Sequence, residues 1–552
     1  MQIVIPMSGR GSRYAAAGYA NIKPLIEVDG RPIIEHIVRL FPGERDFVFI
    51  CARDHLETTP LRDTLERLAP GGKILGIEPH KKGPVWAALM AEQAIADDKP
   101  TLLHYCDFSV HWDYERFKRT MYNHDPAGCV QAYRGFHPHT LGPNLYAYMR
   151  VENGRMLEIQ EKHCFTDDRM NEYSSSGAYY FRSGRLMKQL FHRAVERNLS
   201  TNGEFYASMP YNLLVTDGEP VMVYELDHFL QWGTPEDLDE YRGWSDYFRR
   251  ASRWRPTRPA DDTQVLLPMV GAGVRFQKEG YTQPKPLVRV AGVPMVRRSL
   301  DSLPPAKSWL AVCRTDHLEH PGLVGALNGT DRDVQALAVE GMTAGQASTC
   351  LIGCERLDPE KPLSIAPCDA AVVYNEAKFA ALKDDPTIDC IVWTFRNHPH
   401  ANRNPKQYGW VKADADGWIE GVSCKKPLGP DVKRDPGIIG LFWFRKAKFF
   451  IEAAEELIRQ NRRVNGEFYA DSAVEVLLEQ GRRAKLFDVR HLICFGVPAD
   501  VKTYEYWEAY FRKAAHHPYG KRPAAGSRRF AEASLARRTP LRSGANREGV
   551  LS

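Results

Sequence analysis

The chain has 552 residues, of which 43% are hydrophobic and 26% are charged, and its formal net charge at pH 7 is +5. At roughly 100–200 residues per domain, this length indicates two to four domains. The composition excludes a disordered, collagenous or coiled-coil chain, and the longest apolar runs are too short to span a bilayer.

Strands and helices are predicted to alternate along the chain. Short, β-branched strands are predicted at 3–6, 46–51, 101–105, 265–268, 309–313 and 363–366. Amphipathic helices are predicted at 32–40, 84–96 and 114–123. This spacing predicts parallel βαβ units in an α/β fold. Ligands of such sheets bind beyond the carboxyl ends of the strands.

The sequence repeats itself at an offset of 262 to 263 residues. IVIPMSGRGSRYAAAGYANIKPLIEVDGRPII begins at Ile3 and is similar to VLLPMVGAGVRFQKEGYTQPKPLVRVAGVPMV, which begins at Val265. The hexapeptide NGEFYA occurs in both copies. An offset this constant predicts a gene duplication rather than chance similarity. The predicted organisation is a domain at 1–248, a linker at 249–263, a second domain at 264–515 and a tail at 516–552.

The positive charge is concentrated in that tail. Residues 521–552 contain eight Lys or Arg and two Glu, so the rest of the chain is close to neutral. Their Gly, Pro, Ser and Arg content predicts disorder. A solvated tail is favoured over one that binds nucleic acid or anionic lipid. The N-terminus lacks the features of a secretory signal and the eleven cysteines form no CxxC pair, so we expect a cytoplasmic protein with reduced thiols.

A glycine-rich turn follows the first predicted strand of each copy. Glycine allows main-chain N–H groups to approach phosphate oxygens. The turn lacks the Lys-Ser/Thr of a Walker loop and the third Gly of a dinucleotide fingerprint. A tight turn without a ligand remains an equal alternative. The residues of the pattern GxGxR are Gly9, Gly11 and Arg13 in the first copy and Gly271, Gly273 and Arg275 in the second.

Two further charged residues recur near this turn. Lys-Pro-Leu begins at Lys23 and at Lys285, twelve residues after the second Gly in both copies. A cation at this distance can neutralise phosphates during transfer. A single aspartate, Asp107 or Asp369, follows the third predicted strand. It suits Mg²⁺, which prefers oxygen ligands, although an N-cap is the alternative.

In this order, the motifs resemble those of the sugar-nucleotidyltransferase family, and the resemblance covers both copies. It implies two tandem three-layer α/β/α domains of the GT-A-like, Rossmann-like fold, each with a mixed, mostly parallel sheet. It also implies Mg²⁺-dependent transfer of a nucleotidyl group from an NTP to a phosphorylated acceptor, with release of pyrophosphate, in glycan-precursor synthesis. The base, the acceptor and the oligomeric state are left open.

The resemblance also implies roles for individual residues. The catalytic cations would be Arg13, Lys23, Lys162, Arg275, Lys285 and Lys426. The nucleotide would contact Gly9, Gly11, Gly83, Gly271, Gly273, Gly345 and Gln346. The acceptor would contact Glu161, Glu204, Lys425 and Glu467, with Glu161-Lys162 of the first copy aligned to Lys425-Lys426 of the second. The metal would be bound by Asp107 and Asp369.

Both copies depart from the family pattern. Pro84 replaces the glutamine that reads the base, whereas the second copy keeps Gln346. Many members have a second metal-binding aspartate where this chain has Gln231 and Cys494, so Glu225 and Asp488 are possible substitutes.

Two other functions stay open. One is a GT-A glycosyltransferase that uses a nucleotide sugar, although the strand-end segments Asp107-Phe108-Ser109 and Asp369-Ala370-Ala371 each have only one of the two carboxylates of the Asp-x-Asp motif typical of such enzymes. The other is a chain with one active copy and one binding copy.

Overall fold

The computed structural model describes residues 1–328 and 332–520. Each half of the chain contributes one large sheet with helices around it. None of the helices in this part of the chain is long and apolar enough to cross a bilayer. Most of the predicted tail, from 521 onward, lies outside the described residues.

The strands of the two halves follow one another in the same order. Those of the N-terminal half are β1 (Gln2–Met7), β2 (Glu27–Val28), β3 (Arg31–Pro32), β4 (Asp46–Ala52), β5 (Lys73–Ile77), β6 (Thr101–His104), β7 (Phe108–His111), β8 (Gly128–Tyr133), β9 (Ala147–Glu152), β10 (Arg155–Glu161), β11 (Tyr173–Phe181), β12 (Val221–Glu225) and β13 (His228–Gln231). Those of the C-terminal half are β14 (Asp261–Met269), β15 (Arg289–Val290), β16 (Val293–Pro294), β17 (Ala306–Arg314), β18 (Val334–Val339), β19 (Leu363–Ile365), β20 (Ala370–Val373), β21 (Cys390–Phe395), β22 (Trp410–Ala413), β23 (Ile419–Ser423), β24 (Gly437–Phe444), β25 (Ala484–Asp488) and β26 (His491–Cys494).

The helices also correspond between the halves, except that the helix Pro399–Arg403 has a 3₁₀ turn, Pro138–Leu141, as its counterpart. Those of the N-terminal half are α1 (Ser12–Ala16), α2 (Ile33–Val38), α3 (Arg53–Thr58), α4 (Leu61–Leu68), α5 (Pro84–Met90), α6 (Tyr114–His124), α7 (Gly184–Glu196), α8 (Tyr211–Thr216) and α9 (Pro235–Asp246). Those of the C-terminal half are α10 (Val274–Lys278), α11 (Met295–Ser302), α12 (Thr315–Leu318), α13 (Leu323–Asn328), α14 (Gln346–Cys354), α15 (Glu376–Asp384), α16 (Pro399–Arg403), α17 (Ala447–Arg459), α18 (Ala470–Glu479) and α19 (Pro498–Lys513).

The two large sheets have the same strand order. It is β5-β4-β1-β6-β11-β8-β12-β10-β9 in the first and β18-β17-β14-β19-β24-β21-β25 in the second, where β22 and β23 take the places of β9 and β10. The block β5-β4-β1-β6 is parallel, as predicted from its βαβ spacing. Strand β11 runs antiparallel to both β6 and β8. Strands β8 and β12 are again parallel, whereas β10 is antiparallel to both β12 and β9. The sheet is therefore mixed, as predicted, with parallel and antiparallel pairs in similar numbers rather than mostly parallel ones.

Apolar cores lie on both faces of each sheet. In β1 the side chains of Ile3 and Ile5 enter one core and that of Val4 enters another. In β14 Val265 and Leu266 divide in the same way. Successive side chains of a strand point to opposite faces, so both faces are covered. Strands covered on both sides are continuous apolar runs, which is how they were recognised in the sequence.

All six predicted strands are present, with ends shifted by a few residues. The helix predicted at 84–96 ends at Met90, because Ala91 leaves the helical region at φ −117°. Strand β14 begins at Asp261, inside the predicted linker. Trp254, also in that linker, packs its ring on Tyr374 with centroids 4.9 Å apart.

The halves share one core, built around the final helix of each. Aromatic residues of α9 and α19 interleave: the ring centroids of Tyr241 and Trp507 are 5.7 Å apart, and those of Trp244 and Tyr504 are 5.9 Å apart. His517, which falls in the predicted tail, is fully buried in this region. The first residues of that tail are therefore part of the folded body.

Candidate active sites

The glycine-rich turn of each half packs directly on the lysine of Lys-Pro-Leu. Gly11 and Gly273 are left-handed, with φ of 61° and 66°, and each immediately precedes a short helix. A Cβ at Gly11 would lie 3.5 Å from the Lys23 Cβ, and one at Gly273 would lie 3.1 Å from the Lys285 Cβ. Glycine therefore provides both the left-handed conformation and the space for the lysine.

Each of these lysines contacts the aspartate that follows the last strand of the parallel block, β6 or β19. Lys23 lies in a 3₁₀ turn whose second residue is Pro24. Its Nζ donates to Asp107 Oδ2 at 2.9 Å, and Lys285 donates to Asp369 in the same way. Burial alone would lower the pKa of Lys285 and raise that of Asp369, but their mutual attraction outweighs it. The pKa of Lys285 is therefore raised and that of Asp369 lowered.

A cavity of about 390 Å³ opens on this pair in the N-terminal half. The predicted residues that line it are Gly11, Arg13, Lys23, Asp107, Glu161 and Lys162. The structure thus brings the glycine-rich turn and the Glu-Lys pair to one place. Gly9, Gly83 and Glu204 are not among its lining residues. Gly83 instead packs on the main chain of Phe205, where a Cβ would lie 2.7 Å from the carbonyl oxygen.

The side of this cavity away from the glycine turn is formed by polar side chains. The Ser208 hydroxyl donates to the Glu161 carboxylate, whose pKa is raised by burial. Lys162 is left-handed, with φ of 56°, and its Nζ lies 5.5 Å from the centre of the Tyr206 ring. A left-handed non-glycine residue costs conformational energy and is enriched at functional sites. Tyr206 and Ser175 also line the cavity; the repeated NGEFYA contained the signal for Tyr206.

The C-terminal half has its own cavity of about 390 Å³. The predicted residues that line it are Gly271, Gly273, Arg275, Lys285, Gln346 and Asp369. The predicted Lys425, Lys426, Gly345 and Glu467 are not among the lining residues. Gln407 links the cavity-lining Arg275 to Lys425. Its side-chain oxygen accepts from Arg275 at 3.1 Å, and its main-chain carbonyl accepts from Lys425 at 2.5 Å.

The alignment of the Glu-Lys pair needs a correction of one residue. Lys425 is left-handed, with φ of 58°, and its Nζ lies 5.1 Å from the centre of the Tyr469 ring. Both properties match Lys162, so Lys425 is its counterpart. Cys424 then stands opposite Glu161. Lys426 is exposed. The constant offset of 263, counted back from NGEFYA, gives this alignment, whereas matching by residue type did not.

Asp107 and Asp369 are the carboxylates that could hold Mg²⁺. A Cβ placed on Gly233 would lie 3.6 Å from Asp107 Oδ2 and 3.6 Å from the side-chain nitrogen of Gln231, so both groups flank this glycine. Around Gly496, the corresponding distances are 3.7 Å for Asp369 Oδ2 and 3.4 Å for Cys494 Sγ. Across residues 1–328 and 332–520, no group of three or more His, Cys, Asp or Glu could hold a metal. One carboxylate completed by substrate phosphates and waters is a mode that Mg²⁺ accepts.

The suggested second ligands lie elsewhere. Glu225 accepts from Arg134 at 2.9 Å, and Asp488 accepts from Arg396 at 2.9 Å. Neither residue lines its cavity. Each carboxylate is instead used in an ion pair at the end of its strand, which corrects the suggestion that they join Asp107 and Asp369.

Comparisons with known proteins were made for the whole chain. No protein-family model matches it, and no curated protein matches it. A nucleoside-diphosphate-sugar pyrophosphorylase from Vibrio cholerae RC9 is 18% identical, with a TM-score of 0.35, over 44% of this chain and 99% of its own. An inositol-1-phosphate CTP transferase from T. maritima is 16% identical, with a TM-score of 0.34, over 46% and 97%. A UDP-glucose pyrophosphorylase is 16% identical, with a TM-score of 0.35, over 46% and 100%.

Two of these solved structures are named as pyrophosphorylases and one as a CTP transferase. Each is matched by less than half of this chain at low identity and a low TM-score. Such likenesses carry no argument for what the chain does. The functional conclusion therefore depends on the geometry of the two cavities.

Proposed function

We propose that the chain is a tandem Mg²⁺-dependent nucleotidyltransferase, with one site in each half. The observation that carries the proposal is the lysine–aspartate pair packed against a left-handed glycine turn, which occurs twice. The constant sequence offset and the common strand order support a duplicated domain. We further propose a phosphorylated sugar or related molecule as the acceptor, within glycan-precursor synthesis.

In the proposed reaction, an acceptor phosphate oxygen attacks the α-phosphorus of the NTP, and the bond from that phosphorus to the bridging oxygen of pyrophosphate breaks. The main-chain N–H groups of the turn at Gly9 to Gly11 hold the leaving phosphates, and Arg13 and Lys23 neutralise the charge that develops on them. Lys162 orients the acceptor phosphate. Mg²⁺ bound to Asp107 would supply further charge neutralisation.

The C-terminal half offers the same parts from Gly271 to Lys285, together with Asp369. It also has Gln346, which lines the cavity and can read a base with its amide. Pro84 offers no such group, so the two halves are proposed to select different nucleotides. Release of Arg275 and Lys425 from Gln407 would open the path to the acceptor in this half.

The test is a product analysis on the full-length chain. Four NTPs are incubated with hexose phosphates and Mg²⁺, and pyrophosphate is measured; a nucleotide sugar is incubated separately, and nucleoside diphosphate is measured. We expect pyrophosphate only, and loss of NTP binding in Asp107→Asn together with Asp369→Asn. Release of nucleoside diphosphate without pyrophosphate would instead support a glycosyltransferase.

A further inference from the structure

The acceptor side of the C-terminal half contains a buried carboxylate that the sequence comparison did not single out. Asp471 lies near the start of α18 and is 7% exposed. With the offset of 263 it is the counterpart of Ser208, which donates to Glu161 in the N-terminal half. Cys424 is the counterpart of Glu161. At these two corresponding positions each half therefore has one carboxylate and one short side chain, but the carboxylate is on β10 in the N-terminal half and on α18 in the C-terminal half.

The backbone around Asp471 has been adapted to this exchange. Gly409 corresponds to Ala147, which lines the N-terminal cavity, because Trp410 and Tyr148 pair with equivalent residues of their sheets. A Cβ at Gly409 would overlap Asp471 Oδ2. Gly409 is not among the glycines with positive φ, so space and not conformation requires glycine there. The carboxylate thus occupies the position that the Ala147 Cβ takes in the other half.

Lys425 connects this carboxylate to the reacting centre. Its Nζ lies 5.1 Å from the centre of the Tyr469 ring, two residues before Asp471, and donates to the carbonyl of Gln407, whose side chain accepts from the cavity-lining Arg275. The charge of Lys425 also opposes the rise in the pKa of Asp471 that burial causes. Asp471 therefore lies near Lys425, as Glu161 stands beside Lys162 in the N-terminal half.

We propose that Asp471 is the acceptor-binding acid of the C-terminal half and takes the role that Glu161 has in the N-terminal half. Its carboxylate would accept from a hydroxyl or ammonium group that the acceptor carries beside its phosphate. Because this acid comes from helix α18, whereas Glu161 comes from strand β10, the donor group must lie at a different position from that in the other site. The two halves would then take different acceptors. This inference rests on the proposed function.

The experiment uses the full-length chain with Lys23→Ala, which silences the N-terminal site. Pyrophosphate release is measured with hexose 1-phosphates, polyol phosphates and amino-alcohol phosphates. Loss of a hydrogen bond to a charged group predicts that Asp471→Asn raises the KM for the acceptor at least about tenfold, with the KM for the NTP within about twofold. Asp471→Ser introduces the residue of the other half and serves as a second variant if the asparagine variant does not fold.

A rescue separates acceptor binding from a structural role. Cys424→Glu combined with Asp471→Ser rebuilds the N-terminal arrangement and is expected to recover most of the lost affinity for the acceptor. Unchanged acceptor KM in both single variants, or equal changes in the KM values of acceptor and NTP, would overturn the inference. Absence of pyrophosphate release in the Lys23→Ala chain with every NTP would instead overturn the proposed function of this half.

Discussion

Replacing Lys23 and Lys285 by alanine, separately and together, counts the working sites in the chain. Each lysine is the cation that contacts the aspartate beside the glycine turn. Removing one preorganised charge from a reacting centre typically lowers the rate about 100-fold, or about 2.7 kcal/mol. In each single variant the rate of the reaction catalysed by the mutated half should therefore fall by about this factor, and the rate of the other half should stay unchanged.

The structure predicts different effects of the two substitutions on stability. The Lys23 and Asp107 side chains are 17% and 38% exposed, so solvent screens the pair and its loss should cost at most about 1 kcal/mol. Lys285 and Asp369 are 20% and 28% exposed. Asp369 also has Cys494 close by, and its carboxylate would lose its ion-pair partner, at a cost of about 1–3 kcal/mol.

The assay combines pyrophosphate release from each NTP with chemical denaturation of the same preparations. A double variant that retains wild-type release would refute the assignment of both lysines. A single variant that loses every reaction would refute the independence of the sites, and Lys23→Ala that is less stable than Lys285→Ala would refute the reasoning from exposure.

Three further predictions concern the fold and the N-terminal site. Asp29 accepts from Tyr241, Ser245 and Arg249; burial opposes its ionisation, but these bonds and His516 keep its pKa well below the ordinary value. The ionised Asp29 should therefore stabilise the fold above the pKa that it has in the unfolded chain, and this stabilisation should be lost as pH falls. Asp29→Asn should lower the free energy of unfolding by about 1–3 kcal/mol near neutral pH, measured by urea denaturation from pH 3 to 7. A difference between the two proteins that does not depend on pH would contradict this. Gly83→Ala should lower the activity of the N-terminal half about tenfold or more, because its Cβ would meet the Phe205 main chain. The control is Gly218→Ala, which is also at positive φ but has open space around it; it should lower the free energy of unfolding by only about 1 kcal/mol and leave activity unchanged. Acceptor binding by the N-terminal half should strengthen as pH rises through the raised pKa of Glu161, and Glu161→Gln should remove that dependence from the KM profile.

The sequence predicted the parallel block and, in both halves, the glycine turn with the lysine and aspartate beside it. Those features depend on local signals: apolar runs that cross the core, glycines with left-handed conformations, and a lysine at fixed spacing from them. The direction of β11 was not predicted, because apolar content does not encode whether a strand runs parallel or antiparallel to its neighbours.

The acceptor side was predicted less well. Glu161-Lys162 was aligned with Lys425-Lys426 by residue type rather than by spacing. Lys162 and Lys425 are both left-handed, which shows that the pair aligned with Glu161-Lys162 is Cys424-Lys425. Asp471 could not be found by aligning the acidic residues of the two halves, because its counterpart is Ser208 and the counterpart of Glu161 is Cys424. The ion pairs of Glu225 and Asp488 were also missed, because their arginine partners are distant in sequence.

The packing of α9 against α19 has a consequence for how the halves can diverge. Tyr506 of α19 packs on His137 and His228, with ring centroids 5.0 and 5.2 Å away, and its hydroxyl donates to the Phe229 carbonyl at 2.5 Å. Its counterpart on α9 is Gly243, which lines an open cleft of about 470 Å³. Two identical subunits around a symmetry axis would have to accept any such substitution on both sides. Within one chain the two flanks of the shared core need not match, so Tyr506 can fill one flank while the corresponding flank at Gly243 stays open.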